Sequence, residues 1–148
     1  MLEIGTPANK RRQTMPVRDE RAGHPFSISV LQEVFAICRL DQGVPIPDWA
    51  LVGSFHSITR TKGELSIVCP DIRVPRGTVC NRGWRCLKIE GLLDFSLTGI
   101  LAPLATALAD AGISIFTIST YDTDYIMVQE SDLEEAVSAL AKMGYEIH

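Results

Sequence analysis

Apolar residues in the second half of the chain follow two different periods. RCLKIE, at residues 85–90, alternates apolar and polar positions, which predicts a strand with one buried face. A stripe of apolar residues at helical spacing predicts a helix over residues 100–111: Ile100, Leu101, Leu104 and Leu108. Residues 113–120 and 124–129 are rich in Ile, Thr and Val, which favours two further strands.

Proline and glycine set the ends of these elements. Pro103 is tolerated only near the first turn of a helix, so the helix is predicted to start close to Gly99 and to stop at Gly112. Residues 131–134, SDLE, form a capping box that predicts a second helix, which ends at Gly144 before a last strand over 145–148. The resulting order, β-α-β-β-α-β, is ferredoxin-like.

The first half has the same kind of pattern with fewer helical signals. Residues 27–40 enclose an apolar core at 34–38, typical of a strand that is buried on both faces. Asp48 is predicted to cap a short helical turn over 49–52. A hairpin is predicted from strands at 55–60 and 64–69, and residues 70–83 have the composition of a loop.

The two halves also resemble each other. A constant offset of 60 aligns Ile58 with Ile118, Glu64 with Asp124 and Val68 with Val128, although few positions are identical and chance is an open alternative. We therefore expect an α+β protein of two tandem ferredoxin-like units, with antiparallel sheets and helices on one face. The predicted organisation is a flexible tail over 1–25, a shortened first unit over 26–83 and a second unit over 84–148.

Charge is distributed unevenly along the 148 residues. The chain carries a net charge of −4, while its first 25 residues hold five Lys/Arg against three Asp/Glu. The remainder is acidic, which argues against nucleic acid as a partner. No run approaches the roughly 20 apolar residues that span a bilayer, and the first 25 residues contain no apolar signal region. We expect no membrane partner and a cytoplasmic location.

The residues that usually carry chemistry are scattered. Cys38 and Cys69 lie in apolar runs and are predicted to be core residues, whereas Cys80 and Cys86 flank a Gly-Trp turn and are predicted to be free thiols. Neither the cysteines nor the three histidines have zinc-ligand spacing, and no nucleotide-binding or hydrolase motif occurs. The sequence therefore predicts a protein without catalytic residues, metal or cofactor.

Polar residues concentrate in two places beside the predicted helix. The amides at the helix start lack intrahelical partners and carry partial positive charge, so an amino-acid carboxylate suits that position, and Gly99 has no side chain to block it. The aspartates of the turn between the two strands, Asp122 and Asp124, offer negative charge for an ammonium or guanidinium group. The alternative is an ordinary hairpin whose aspartates bond their own backbone, and a helix cap at Ser96 or Thr98.

Several strings carry a family resemblance. Gly99-Ile100-Leu101, followed by GISI at 112–115, is similar to the ACT-domain signature. FSLTGILAPL, LADAGISIFTISTYDTDYIMV, ELSIVCP and GWRCLKIEG closely resemble a subgroup with paired ACT-like units, which includes small bacterial proteins and animal cytosolic arginine sensors. The resemblance covers residues 28–148. It departs from common ACT domains in the loop, where Asp94 stands five residues before Gly99 and Thr98 replaces a proline.

The resemblance implies an amino-acid ligand at an interface between ferredoxin-like units. The family's two ligand-binding segments fall on 94–100 and 118–124, so the predicted ligand-binding residues are Asp94, Ser96, Thr98, Gly99, Ile100, Ser119, Thr120, Tyr121, Asp122, Thr123 and Asp124. Exposed sheet edges favour a homodimer. The expected function is a non-catalytic amino-acid sensor; the alternative is a structural dimerisation module with an empty pocket.

Overall fold

A computed structural model describes residues 26–91 and 99–148 of the protein. These residues form seven strands and two α-helices. The strands are β1 (Ser27–Leu40), β2 (Ser57–Arg60), β3 (Leu65–Pro70), β4 (Cys80–Glu90), β5 (Ile115–Ser119), β6 (Asp124–Gln129) and β7 (Glu146–Ile147). The helices are α1 (Leu101–Asp110) and α2 (Leu133–Lys142), and short 3-10 turns cover Asp48–Leu51, Asp71–Arg73 and Glu130–Asp132. The architecture is α+β, as predicted.

All seven strands belong to one sheet, in the order β2-β3-β1-β4-β6-β5, with β7 on β1. The pairs are antiparallel except β1 with β7. Within the second half, a ferredoxin-like unit would place its last strand beside its first. Instead, Ser27 and Ile28 of β1 lie between β4 and β7. The expectation of separate sheets for two tandem units is therefore corrected: β1 is long enough, at 14 residues, to pair in both halves.

The ends of α1 are those that the sequence predicts. Leu101 is the first residue of α1, so Pro103 lies in the first turn, where few amides have partners. Gly112 has φ +74°, the left-handed conformation that glycine adopts without strain. Its N–H donates to the Ala109 carbonyl, and the Ile113 N–H donates to the Leu108 carbonyl, both at 2.9 Å. These bonds satisfy carbonyls that the helix end would leave open.

The two predicted side-chain caps do not form. Ser131 lies within the 3-10 turn before α2, and Asp132, which precedes the helix, has αR backbone angles and makes no capping hydrogen bond. A capping serine needs an extended backbone, which a residue inside a helical turn cannot have. Asp48 likewise opens its 3-10 turn after Pro47 without a side-chain cap.

Part of the predicted loop over 70–83 is strand. β4 begins at Cys80, because Cys80 and Asn81 continue the pairing with Cys38 and Ile37 of β1. The predicted Gly-Trp turn is an irregularity within β4, where Gly83 has φ +81°. The predicted unit boundary after residue 83 falls inside this strand.

Different elements cover the two halves of one face of the sheet. Both helices pack on the second half, over a cluster that contains Ile28, Leu87, Ile89, Leu104, Leu108, Ile126, Val128 and Leu140. In the first half, Ala50 of one 3-10 turn and Val74, which directly follows the next, join a smaller cluster with Ala36, Cys38, Leu65, Ile67 and Cys69. The buried Cys38 and Cys69 are core residues, as predicted. A third cluster includes Phe35, Val68, Trp84, Cys86 and Met127.

The two hairpins, β2–β3 and β5–β6, have the same turn. The N–H of Thr61 donates to the Glu64 carbonyl at 2.9 Å, and that of Thr120 donates to the Thr123 carbonyl at 2.8 Å. Both threonine hydroxyls also donate to those carbonyls. Thr61 and Thr120 are 59 positions apart (120 minus 61), so the predicted offset of 60 is wrong by one residue. Since strand side chains alternate, this shift pairs Leu65 with Asp124.

Candidate functional site

The start of α1 receives no side-chain cap from Ile100, the described residue that precedes it. The side chain of Ile100 is apolar and is buried in the core that the helices cover. The amides of the first turn therefore have no intrahelical acceptor, apart from Pro103, which has no N–H. Gly99 is exposed with φ +75°, and a Cβ there would meet nothing within 4 Å. The left-handed backbone conformation requires a glycine at position 99, and the space beside this residue is open.

The turn between β5 and β6 is anchored to the end of β4. Thr123 is 5% exposed, and its hydroxyl donates to the Ile89 carbonyl at 2.5 Å. Thr120 closes the turn through its N–H and hydroxyl, which both donate to the Thr123 carbonyl. Because Ile89 lies near the end of β4, this bond holds the turn at that end of the strand.

A serine and a carboxylate flank the turn as a directly opposed strand pair. Ser119 and Asp124 are register partners, and the Ser119 hydroxyl donates to Asp124 Oδ1 at 2.5 Å. Within residues 26–91 and 99–148, Asp124 Oδ2 has no hydrogen-bond partner. Ser119 therefore orients the carboxylate and leaves one of its oxygens available.

Strand alternation places this carboxylate on the helix-covered face of the sheet. Ile126 and Val128 pack in the same cluster as Leu104 and Leu108 of α1. Asp124 is separated from Ile126 by one residue, so its side chain projects to the same face. The pairing of Lys88 with Tyr125 puts the start of β6 at the carboxyl end of β4, from which the chain continues toward α1. Asp124 thus lies on the helix-covered face, at the end of the sheet where β4 ends, and Ile100 at the start of α1 packs against the same face.

The structure brings together part of the predicted site. Asp94, Ser96 and Thr98 lie outside the described residues. Tyr121, 79% exposed, and Asp122 are at the exposed tip of the turn. The Thr123 hydroxyl donates to the Ile89 carbonyl and so anchors the turn, while its predicted contact with a ligand stays a prediction.

Sequence reasoning missed two features of the described region. The Thr123–Ile89 bond joins residues 34 positions apart, and no local pattern signals it. A cavity of about 800 Å³ opens at the other end of β4, lined by residues that include Asp71, Arg76, Thr78, Cys80 and Arg82. It lies in the segment that composition assigned to a loop. No group of three or more metal-ligating side chains occurs among the described residues.

Family models match most of the described chain. Residues 79–142 match the model of an ACT domain, and residues 33–77 match a model that describes an N-terminal domain. Residues 79–142 therefore form an ACT domain. The predicted resemblance is confirmed, with the matched ACT region beginning close to the start of β4.

Similar proteins come from bacteria and from human. Protein Atu0741 of Agrobacterium tumefaciens, known from a crystal structure, is 39% identical; the match covers 83% of this chain and 92% of that one, with a TM-score of 0.79. Human protein CASTOR3P is 32% identical over 92 residues, which are 53% of this chain. The match spans 56% of the length of that human protein.

A regulatory subunit has the same fold. The regulatory subunit of aspartate kinase from Thermus thermophilus is 14% identical to this chain, with a TM-score of 0.53. The match covers 82% of this chain and 99% of that subunit. Among the residues described here, no helix is both long and apolar enough to cross a membrane.

Proposed function

We propose that this ACT-domain protein is a cytoplasmic sensor that binds an amino acid or a similar zwitterion and catalyses no reaction. The ligand lies between the start of α1 and the β5–β6 turn. One observation supports the proposal: the carboxylate of Asp124, which Ser119 orients, is on the face of the sheet against which Ile100, at the start of α1, is buried.

The two groups have opposite charge preferences. The helix start carries partial positive charge and free N–H donors, which suit a carboxylate. Asp124 Oδ2 accepts hydrogen bonds from an ammonium or guanidinium group, and its charge strengthens such bonds to about twice those between neutral groups. A free amino acid carries both charges, so it satisfies both poles at once.

The turn gives this site rigidity. The buried Thr123 hydroxyl and the Ser119 hydroxyl fix the backbone and the carboxylate before any ligand arrives. A preorganised site loses less entropy when a ligand binds. Tyr121 and Asp122 lie at the exposed tip of the turn. They are the residues best placed to contact a ligand that is bound to a neighbouring copy of the chain.

A thermal-shift screen against the twenty amino acids tests the proposal. At least one should raise the melting temperature, because a ligand that binds only the folded state stabilises it. Asp124→Asn keeps the acceptor for Ser119 but removes the charge, so it should lose the shift while the unliganded melting temperature stays close to that of the wild type. Glu64→Gln, at the corresponding hairpin, is the matched control and should keep the shift.

A structural interaction module is the second candidate, and the sheet face that bears the third apolar cluster favours it. Phe116, Ile118 and Tyr125 are only partly buried there and pack around Met127. A homodimer that covers this face would bury apolar area without any ligand. Light scattering at several protein concentrations, combined with a flat amino-acid screen, would support this module over the sensor.

A further inference from the structure

Three cysteines from three adjacent strands lie together in the first half of the sheet. They are on the face that both helices cover in the second half. Cys38 of β1 is the register partner of Cys80 of β4, and Cys69 of β3 pairs with Ala36, two residues before Cys38. All three side chains belong to or pack against one apolar cluster. Nothing in their sequence spacing signals this proximity, since 31 and 11 positions separate neighbouring members.

The pair formed by Cys38 and Cys80 is at a position where side chains approach closely. The Arg39 N–H donates to the Val79 carbonyl at 2.9 Å. This bond joins the residues that flank Cys38 and Cys80, so the cysteines are a non-hydrogen-bonded pair. Such pairs have Cα atoms about 4.5 Å apart, at the short end of the range of about 4.4–6.8 Å that disulfides accept.

The three thiols differ in access. Cys80 is half-buried and lines the cavity at the start of β4, whereas Cys38 and Cys69 are buried. The neighbouring Cys69 thiol and burial raise the pKa of Cys38, whereas the neighbouring Cys38 thiol lowers the pKa of Cys69, with the Arg82 charge assisting.

We propose that Cys80 and Cys38 are a thiol modification site, which a peroxide converts into a disulfide between β4 and β1. The peroxide enters through the cavity, and the Cys80 sulfur attacks one peroxide oxygen as the O–O bond breaks, giving a sulfenic acid and one water. The Cys38 sulfur then attacks the Cys80 sulfur. The S–S bond forms, the S–O bond breaks, and the departing hydroxide takes the Cys38 proton as a second water.

The balance of this step is complete. Two thiols lose two electrons and two hydrogens, and one hydrogen peroxide gains them to become two waters. The product links the strand that starts at the cavity to the central strand of the sheet. This site is at the opposite end of β4 from Asp124, so it is independent of the proposed amino-acid site.

The test is mild hydrogen peroxide on the full chain, followed by intact-mass measurement and non-reducing peptide mapping. We expect a loss of two hydrogen atoms and a peptide that links residues 38 and 80. Cys80→Ser and Cys80→Ala should both abolish the link, and two substitutions at this half-exposed position guard against a folding defect in either one.

Cys86→Ser is the matched control from the same strand. Cys86 belongs to the third apolar cluster, and burial raises its pKa to about 12, so it should neither react nor alter the link. Three results would overturn the proposal: no loss of hydrogen, a link between Cys38 and Cys69, or a disulfide between two chains through Cys80.

Discussion

The hairpins β2–β3 and β5–β6 have the same four-residue turn but are flanked by chemically different pairs. Arg60 and Leu65 flank the first turn, while Ser119 and Asp124 flank the second. Leu65 is fully buried in the first-half core, and Asp124 is partly exposed on the corresponding face. The shared fold thus fixes where the side chain points, and the residue at that position decides whether it packs in the core or stays partly exposed.

What lies over each hairpin explains the difference. Ala50 of a 3-10 turn and Val74, which directly follows another, pack on the face that Leu65 joins. Over the second hairpin, α1 supplies Leu104 and Leu108 to the interior, and Ile100 at its start packs in the same cluster. A carboxylate is therefore tolerated in the second half and excluded from the first.

The largest effect on stability is expected when the buried leucine of the first hairpin is replaced by the aspartate of the second. Leu65→Asp places an unpaired carboxylate at a position with no exposure, so we expect a loss of about 3 kcal/mol or more in the free energy of unfolding. Urea unfolding followed by circular dichroism measures it. If the free energy of unfolding falls by no more than it does for an ordinary surface substitution, the two hairpins do not differ in burial.

An intermediate effect is expected where the second turn is anchored. Thr123→Val keeps the shape of the side chain but removes its bond to the Ile89 carbonyl, which should cost about 1–3 kcal/mol. Glu64→Ala, at the corresponding place in the first turn, is the control and should cost less, because its ion pair with Arg39 is long and exposed. Equal losses at both positions would contradict the anchoring role.

A smaller effect is expected at the glycine before α1. Gly99→Ala meets open space, so only the left-handed backbone is penalised, by about 1 kcal/mol. Gly63→Ala, in the first turn, has no positive φ and should be close to neutral. Thermal unfolding of both variants measures the difference, and a neutral Gly99→Ala would show that this conformation is not required.

The smallest effect on stability is expected from Asp124→Leu, which copies the first hairpin into the second. The side chain is partly exposed and its bond to Ser119 is at the surface, so the unfolding free energy should change by less than about 1 kcal/mol. Denaturant unfolding checks this value. A large destabilisation would mean that Asp124 is a structural turn residue.

Local patterns predicted the elements better than their assembly. Pro103 and Gly112 determine the ends of α1 through backbone geometry, which a short segment contains in full. The position of β1 between β4 and β7 depends on pairings between distant residues, and it could not be read from periodicity. The polar composition of residues 70–83 concealed the start of β4 for the same reason, since its partner is 42 positions away (80 minus 38).

The candidate site shows the same contrast between local patterns and pairings of distant residues. Asp124 and Gly99 could be predicted as candidates because turn chemistry and helix signals are local, whereas the anchoring role of Thr123 depends on the carbonyl of Ile89, contributed by another strand. The cysteine cluster escaped notice because only strand register brings Cys38 and Cys80 together. Register also corrected the offset between the halves by one residue, which identified Leu65 as the counterpart of Asp124.

Amide chemical-shift mapping during titration with the twenty amino acids tests the central claim most directly. At least one amino acid should shift the amides of Gly99 to Leu101 and of Ser119 to Asp124, and should leave those of Arg60 to Leu65 unchanged. If no amino acid shifts the second hairpin, or if both hairpins shift alike, Asp124 and the start of α1 do not form a ligand site.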